Sequence, residues 1–206
     1  MVRVLRAYGI RDARVLAAMG RIPREAFIPE GVCVDDVYGD HPLPIGHGQT
    51  ISQPYIVAYM TELVEAAPGR KILEIGTGSG YQAAVLAELG ASVFSLEMVP
   101  ELVKHARAVL QARGYAVTVR LGDGYEGWPE EAPFDAIIGT CAADEIPITL
   151  CRQLVIGGQL VLPIGGVDQQ RIVIIRRDVT GFTRTEDLPV RFVPMVHAGH
   201  RGTGRG

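Results

Sequence analysis

The segment KILEIGTGSGY, residues 71–81, constrains the fold of this chain more than any other feature. Its first five residues predict a short buried strand, the residues GTGSG a tight turn, and residues 81–89 a helix behind the turn. Glycines in such a turn adopt positive φ and let the backbone come close to a ligand at the amino end of the helix. The segment therefore predicts an α/β domain with a ligand site at this turn.

The rest of the sequence alternates between strands and helices. We predict strands at 71–75, 92–96, 117–121, 135–139 and 159–163, and helices at 81–89, 101–113 and 147–154. Such alternation is typical of a doubly wound, Rossmann-like fold whose mainly parallel sheet has helices on both faces. Two later strands, at 171–176 and 188–194 with a turn near 178–181, predict an antiparallel edge.

Ligands in such a sheet bind beyond the carboxyl ends of the strands. Glu97 ends the second strand and is suited to hold ribose hydroxyls, whereas Glu74 is placed to meet the amino group of a methionine moiety. Asp123 follows the third strand; it either accepts a hydrogen bond from an adenine amino group or only forms the turn before Gly124. Thr140 follows the fourth strand at the same edge.

These residues favour S-adenosyl-L-methionine over other ligands. The glycine spacing is G-x-G-x-G, whereas dinucleotide sites use G-x-G-x-x-G. A glycine turn in some other α/β domain would leave the acids at the strand ends unexplained. The predicted donor-binding residues are Glu74, Gly76, Thr77, Gly78, Ser79, Gly80, Glu97, Met98, Gly122, Asp123, Gly124 and Thr140.

Composition argues against several other classes of protein. The 20 basic and 23 acidic side chains give a formal charge of −3, which disfavours nucleic acid as a partner. No apolar run approaches the roughly 18 residues that span a bilayer, and the five histidines show no metal-ligand spacing, so we predict no membrane role and no metal. The amino end lacks a secretory signal and the three cysteines form no C-x-x-C pair, which predicts a cytoplasmic protein.

A chain of 206 residues is expected to form one domain, and we expect it to be a monomer. Within residues 1–206 we distinguish an N-terminal helix and substrate-loop region (1–53), a core (54–196) and a flexible tail (197–206). The tail contains HRGTGRG, which starts at His200 and is basic and rich in glycine. A frayed terminus explains this composition better than an RNA-binding role does.

The segment 38–53 contains glycine and proline without a helical or strand period and precedes a predicted helix at 54–66. Ordered irregular segments of this length are usually functional. Ser52 is a candidate N-cap for that helix, but Gln49, Thr50 and Ser52 among glycines also suit a loop that holds a substrate.

Several stretches of the sequence resemble the protein-L-isoaspartate O-methyltransferase family, whose members methylate aged aspartyl sites. They are Tyr38 with Asp40, PLPIG from Pro42, GQTISQPY from Gly48, MTEL from Met60, LEIGTGSGYQAA from Leu73, GDGYEGWPEEAPFDAII from Gly122 and VRFVPM from Val190. The resemblance covers residues 12–196. The chain departs from the family pattern at Met98, Cys141 and Asp144, and it diverges after Met195.

The resemblance implies a reaction and the residues that serve it. The donor would be S-adenosyl-L-methionine, with S-adenosyl-L-homocysteine as product, and the acceptor would be the free carboxylate of L-isoaspartyl residues in damaged peptides and proteins. Ser52 corresponds to the active-site serine of the family. The peptide would be held through its backbone along a strand edge at 190–195. The implied substrate-binding residues are Gln49, Thr50, Ile51, Ser52, Ala142, Val193 and Pro194.

Two other functions stay open at this point. A small-molecule O-methyltransferase would share the donor site but should lack the GQTISQPY segment. A non-catalytic protein-binding module on the same fold would have no need of intact glycines or of Glu74, Glu97 and Asp123.

Overall fold

The computed structural model describes residues 1–30, 32–166 and 168–197. The prediction of a flexible tail falls almost wholly on residues 198–206, His200 among them, and so lies outside the described residues. None of the helices in the described ranges is both long and apolar enough to cross a membrane.

The strands of the described chain form one sheet and one hairpin. They are β1 (Leu43–Gly46), β2 (Gln49–Ile51), β3 (Lys71–Ile75), β4 (Ser92–Glu97), β5 (Val117–Leu121), β6 (Phe134–Gly139), β7 (Leu154–Ile164), β8 (Gln170–Arg177) and β9 (Phe182–Val190). β1 and β2 pair with each other, and the other seven lie in the order β5-β4-β3-β6-β7-β8-β9. Strands β3 to β7 pair in parallel, whereas β8 and β9 are antiparallel. The mainly parallel sheet with an antiparallel edge is therefore confirmed.

Helices cover both faces of this sheet. They are α1 (Val2–Ala7), α2 (Ala13–Arg21), α3 (Val34–Val37), α4 (Pro54–Leu63), α5 (Tyr81–Glu88), α6 (Pro100–Ala112) and α7 (Ile148–Arg152), with 3-10 turns at Arg24–Phe27 and Pro129–Glu131. Successive residues of a strand point to opposite faces, so Ile72 joins a hydrophobic cluster with α2, α4, α5 and α6, while Leu73 joins a second cluster with α7. Burial on both faces explains why the central strands have apolar residues at successive positions, as at 72–73 and 136–138.

Two predicted elements differ from the structure. The segment 38–53 is not irregular throughout, because it contains the β1–β2 hairpin; its tip at Gly46, His47 and Gly48 has positive φ at all three residues. The last strand runs over Phe182–Val190 and not over 188–194. The outer part of β9 is exposed and carries no apolar alternation, so the apolar residues after it gave a misleading signal.

Candidate active site

Four parallel strands end at the same edge of the sheet, and the residues that follow them surround a cleft of about 810 Å³. The predicted residues that line it are Gln49, Thr50, Ile51, Ser52, Glu74, Gly76, Thr77, Gly78, Ser79, Glu97, Met98, Gly122, Gly124, Thr140, Val193 and Pro194. Gly80, Asp123 and Ala142 lie outside this lining. Sequence reasoning missed Cys141, Met195 and Val196, although the first directly follows Thr140 and the second ends the VRFVPM segment.

The glycine turn after β3 is held in a shape that only glycine adopts easily. Gly76, Gly78 and Gly80 have φ values of 94°, 53° and 88°. A Cβ on Gly76 would lie 2.6 Å from Thr140 Oγ1, so a side chain there would displace its neighbour. Gly80 is the N-cap of α5, which explains why it shapes the turn without lining the cleft. The turn therefore presents bare backbone to the cleft.

The Glu97 carboxylate is fixed by three backbone N–H groups. Its Oε2 accepts from Gly78 N at 2.8 Å, and its Oε1 accepts from Met98 N at 2.8 Å and Val99 N at 3.0 Å. The side chain is only 8% exposed. Since an ionised carboxylate has about four acceptor positions, room remains for hydroxyl donors from a ligand.

Glu74 is the most unusual group at the cleft. The side chain is completely buried, Ser95 Oγ donates to its Oε2, and Thr77 Oγ1 lies 2.6 Å from Ser95 Oγ. Its other oxygen, Oε1, is buried and has no hydrogen-bond partner within the described part of the chain. Burial raises the pKa of Glu74 to about 8, because a carboxylate without a positive partner is poorly solvated there. A cationic ligand group would supply the missing partner.

Asp123 forms the turn after β5. Its Oδ1 accepts from Tyr125 N at 2.8 Å, and His197 Nδ1 lies 3.6 Å from its Oδ2. The His197 ring also stacks on Tyr125, with ring centroids 3.9 Å apart. The turn-forming interpretation thus holds, and contact between Asp123 and an adenine stays a prediction.

Thr140 and Ala142 organise the wall opposite the glycine turn. Thr140 Oγ1 donates to the carbonyl oxygen of Gly76, so this hydroxyl is already engaged. Ala142 N donates to Val193 O at 2.8 Å, and Met195 N donates to Ala142 O at 2.6 Å. Ala142 therefore holds the segment 193–195 against the cleft without lining the cleft itself.

These bonds correct the expectation of a free strand edge at 190–195. No strand covers 191–194 beyond a bridge between Ala142 and Pro194. Both backbone groups of Phe192 bond to the Gln170 side chain, at 2.6 Å and 3.2 Å. The Val193 carbonyl and the Met195 N–H are taken by Ala142, and Pro194 has no N–H to offer. A peptide cannot add to this edge as a regular strand.

Ser52 does not cap α4, contrary to one of the two sequence interpretations. The N-cap is Gln53, whose side chain makes no capping bond. The capping acceptor is Asp40, whose Oδ1 accepts from Tyr55 N at 2.8 Å and whose Oδ2 accepts from Gln53 Nε2 at 2.9 Å. The Ser52 hydroxyl makes no hydrogen bond with any described residue and so remains available to a ligand.

A second groove, of about 950 Å³, opens beside the cleft. It is lined by Pro42, Thr50, Ser52, Gln53, Ile56, Thr140, Pro189, Val190, Arg191, Phe192 and Val193. Four residues, Thr50, Ser52, Thr140 and Val193, belong to the walls of both spaces. Arg191 and Phe192 of the groove were not predicted as site residues. The two spaces meet at Ser52, where a group in one could react with a group in the other.

Comparison with known proteins identifies the family to which this chain belongs. The family model "Protein-L-isoaspartate(D-aspartate) O-methyltransferase" matches residues 1–200. A protein-L-isoaspartate O-methyltransferase of Gloeobacter violaceus is 52% identical over 194 residues, which cover 93% of this chain and 94% of the relative. The protein-L-isoaspartate O-methyltransferase 2 of a Polaromonas species is 54% identical over 189 residues, which cover 90% of this chain and 89% of the relative.

Solved structures agree with these relatives. A protein-L-isoaspartate O-methyltransferase superposes with a TM-score of 0.87 at 31% identity over 94% of this chain, which spans 64% of that longer chain. A Plasmodium falciparum protein described as a protein-L-isoaspartate O-methyltransferase, in complex with S-adenosyl-L-homocysteine, superposes with a TM-score of 0.82 at 26% identity, covering 95% of this chain and 96% of that one. This chain belongs to the protein-L-isoaspartate(D-aspartate) O-methyltransferase family.

Proposed function

We propose that this chain transfers the methyl group of S-adenosyl-L-methionine to the free carboxylate of L-isoaspartyl residues in damaged peptides and proteins, and so initiates their repair. Membership of the family supports the reaction and the donor. The observation that carries the assignment to this site is the position of Ser52, whose unbonded hydroxyl lies where the cleft and the groove meet.

The cleft fits this donor. A sulfonium nucleoside carries a methyl group on a positively charged sulfur, an ammonium group and ribose hydroxyls. The unpartnered Glu74 oxygen would accept from the ammonium group, and Glu97 would hold the ribose hydroxyls. The glycine turn would let the protein backbone come close to the nucleoside. Asp123 would receive the adenine amino group at the far end. The other donor-binding residues proposed from the sequence lie around these contacts.

The groove fits the acceptor. A free carboxylate has a pKa near 4 and is already ionised at neutral pH, so no general base is required. Ser52 would donate a hydrogen bond to the carboxylate and hold one of its oxygens in line with the methyl group. Thr140 cannot take this role while its hydroxyl donates to the Gly76 carbonyl. The balance of charge is simple, because the carboxylate and the sulfonium combine into two neutral products.

The peptide itself would lie along the groove and not on a strand edge. Thr50 and Val193, which line both spaces, would contact it from the two sides, and Gln49, Ile51 and Pro194, which line the cleft, would contact the acceptor residue where it reaches the donor. Arg191 extends the groove with a positive charge beside an anionic acceptor. Because the target is any flexible peptide that carries the abnormal linkage, we expect the enzyme to recognise the peptide backbone more than particular side chains.

The decisive experiment compares two peptides that differ only in linkage. We expect at least about a hundredfold higher kcat/KM for the isoaspartyl peptide than for its aspartyl twin, about 2.7 kcal/mol of discrimination. The normal linkage moves one methylene from backbone to side chain, which displaces the carboxylate from the line of attack. Both peptides compete in one reaction with labelled donor. Equal rates, or transfer only to a small metabolite, would refute the repair function.

We also propose that residues 1–206 act as a single domain, as a monomer, in the cytoplasm. One hydrophobic cluster includes Leu5 of α1, Met19 of α2 and Ile172 of β8, which supports a single cooperative unit. Cys33, Cys141 and Cys151 are free thiols, and burial raises the pKa of the latter two, as suits a reducing compartment. Sedimentation of the purified protein at several concentrations would test the monomer.

A further inference from the structure

We propose that Asp40 is a positioning residue for catalysis: it fixes Ser52 by holding Gln53 and Tyr55, which follow it in the chain. The inference rests on the proposed function, because it assigns to Asp40 a role that is exerted through the Ser52 hydroxyl. Asp40 itself lines neither the donor cleft nor the acceptor groove. Its effect on the reaction would therefore be indirect.

Both oxygens of the Asp40 carboxylate are committed to the start of α4. Pro54 occupies the first turn and has no N–H, so Tyr55 N is the first backbone donor of the helix. Asp40 Oδ1 accepts from this donor, and Oδ2 accepts from the Gln53 side chain. A carboxylate near a helix amino end is also favoured by the helix dipole. Gln53 and Tyr55 are thereby fixed, and Ser52 directly precedes Gln53.

Asp40 is held in turn by a buried guanidinium. Arg24 is completely buried; its Nε donates to Val37 O at 2.8 Å and its Nη2 reaches His41 O at 3.5 Å. These two carbonyls flank Asp40 in the chain. The guanidinium also lies over the Tyr81 ring, 5.2 Å from its centroid, and Tyr81 lines the donor cleft. Burial lowers the pKa of Arg24, while the charge of Asp40 acts in the opposite sense.

This arrangement connects the two substrates through a rigid path. Tyr81 begins the helix behind the glycine turn, and Arg24 lies over its ring. Arg24 holds the loop that contains Asp40, and Asp40 in turn holds the segment that follows Ser52. Near-attack geometry is sensitive to shifts of about 1 Å, so loss of either Asp40 bond should misplace the Ser52 hydroxyl. The donor would still bind, because its own contacts are made by Glu74, Glu97 and the glycine turn.

The first test compares Asp40→Ala with a matched control at the other end of the same helix. Glu62 also accepts two backbone N–H bonds across the chain, from Arg11 at 2.7 Å and Asp12 at 2.5 Å, but lines neither space. We expect Asp40→Ala and Glu62→Ala to lower Tm similarly. Only Asp40→Ala should lower kcat, by about tenfold or more, with donor Kd within about twofold of the parent. Equal loss of kcat in both variants would overturn the proposal.

Asp40→Asn provides a milder variant in case Asp40→Ala does not fold. The amide keeps one acceptor oxygen for Tyr55 N and loses the charge, so kcat should recover partly relative to Asp40→Ala. If Asp40→Asn and Asp40→Ala both turn over at the parent rate, Asp40 does not position Ser52.

The second test combines Asp40→Ala with Ser52→Ala. If Asp40 acts through Ser52, its removal should change kcat by less than about twofold once the hydroxyl is gone, while its effect on Tm persists. An undiminished effect on kcat in the double variant would overturn the proposal. Normal turnover by Ser52→Ala would refute the role of Ser52 and this inference together. Normal turnover by Asp40→Ala beside an impaired Ser52→Ala would refute this inference alone.

Discussion

The donor cleft and the acceptor groove are neighbours that are built in different ways. The cleft is made by the ends of parallel strands, and its polar contacts join residues at or directly after those ends, such as Glu97 with Gly78 and Met98. The walls of the groove come from two distant segments that single side chains hold in place, namely Asp40 on one wall and Gln170 on the other. Donor binding should therefore depend on the fold itself, whereas acceptor geometry should depend on the two side chains that hold the walls of the groove.

The largest effect should come from Ser52→Ala, which removes an unbonded hydroxyl at the junction of the two spaces. We expect kcat to fall at least about a hundredfold, or about 2.7 kcal/mol, with donor affinity intact. Stability should change little, because the hydroxyl caps nothing. Single-turnover methyl transfer, calorimetry and thermal melting measure the three quantities. Thr50→Val, which removes another hydroxyl shared by both walls, should have a smaller effect. If Ser52→Ala turns over at the parent rate, Ser52 does not hold the acceptor at the junction of cleft and groove.

The next effect belongs to the cleft. Glu97→Ala should weaken the binding of S-adenosyl-L-homocysteine by about 1–3 kcal/mol, because the ligand hydroxyls and three backbone N–H groups lose one charged acceptor. Glu97→Gln, of the same size, should retain part of the affinity. Calorimetry gives both dissociation constants. If the peptide KM rises while the donor Kd stays constant, Glu97 serves the groove and its assignment to the donor cleft is wrong.

Glu74 predicts a pH dependence of stability. Its pKa in the folded chain, about 8, lies above the ordinary value of 4.5, so the native state retains a proton that the unfolded chain releases. This contribution is complete below about pH 4.5 and is lost as the pH rises through about 8, at no more than about 1.4 kcal/mol per pH unit. Thermal melts from pH 5 to pH 8 should show the decline in the parent and a flatter profile in Glu74→Gln. Glu101→Gln, at an exposed site in α6, should follow the parent.

The smallest effect should come from the far wall of the groove. Gln170→Ala removes the side chain that binds both backbone groups of Phe192. We expect the peptide KM to rise about fivefold, near 1 kcal/mol, with donor Kd unchanged. Gln169→Ala, at the exposed neighbouring position, provides the control for the loss of a glutamine from this turn. A larger effect on the donor than on the peptide would show that this wall serves the cleft.

The same contrast explains how much could be predicted from the sequence. The strands β3 to β7, the glycine turn and the acids at the strand ends follow from local periodicity and turn chemistry, so the predicted donor-binding residues other than Gly80 and Asp123 line the cleft. Its exceptions are instructive. Gly80 is the N-cap of α5 and Asp123 accepts from Tyr125 N, and no residue pattern distinguishes a glycine that lines a cleft from one that caps the adjoining helix.

The groove could not be predicted in the same way. Ser52 was a candidate helix cap because it is adjacent in sequence, but the structure supplies the acceptor from Asp40, fifteen positions earlier than Tyr55. The β1–β2 hairpin was missed because its strands are three and four residues long and one contains Pro44. The edge strand was shifted because exposed residues from Phe182 onward lack a hydrophobic period. In each case the residues of the element carry no local signal for the contact or pairing that the structure shows.

The clamp that Arg24 places on Val37 and His41 also limits how this protein can diversify. Surface loops usually accept insertions and deletions, but here one guanidinium binds carbonyls on both sides of Asp40. A residue added or removed between positions 37 and 41 would detach one carbonyl and turn the Asp40 side chain away from α4. The turn at residues 178–181, which closes on itself through Asp178 and where Val179 is 81% exposed, is free of that restriction. Length variation, tags and labels therefore belong at that turn, and the clamped loop should keep its length.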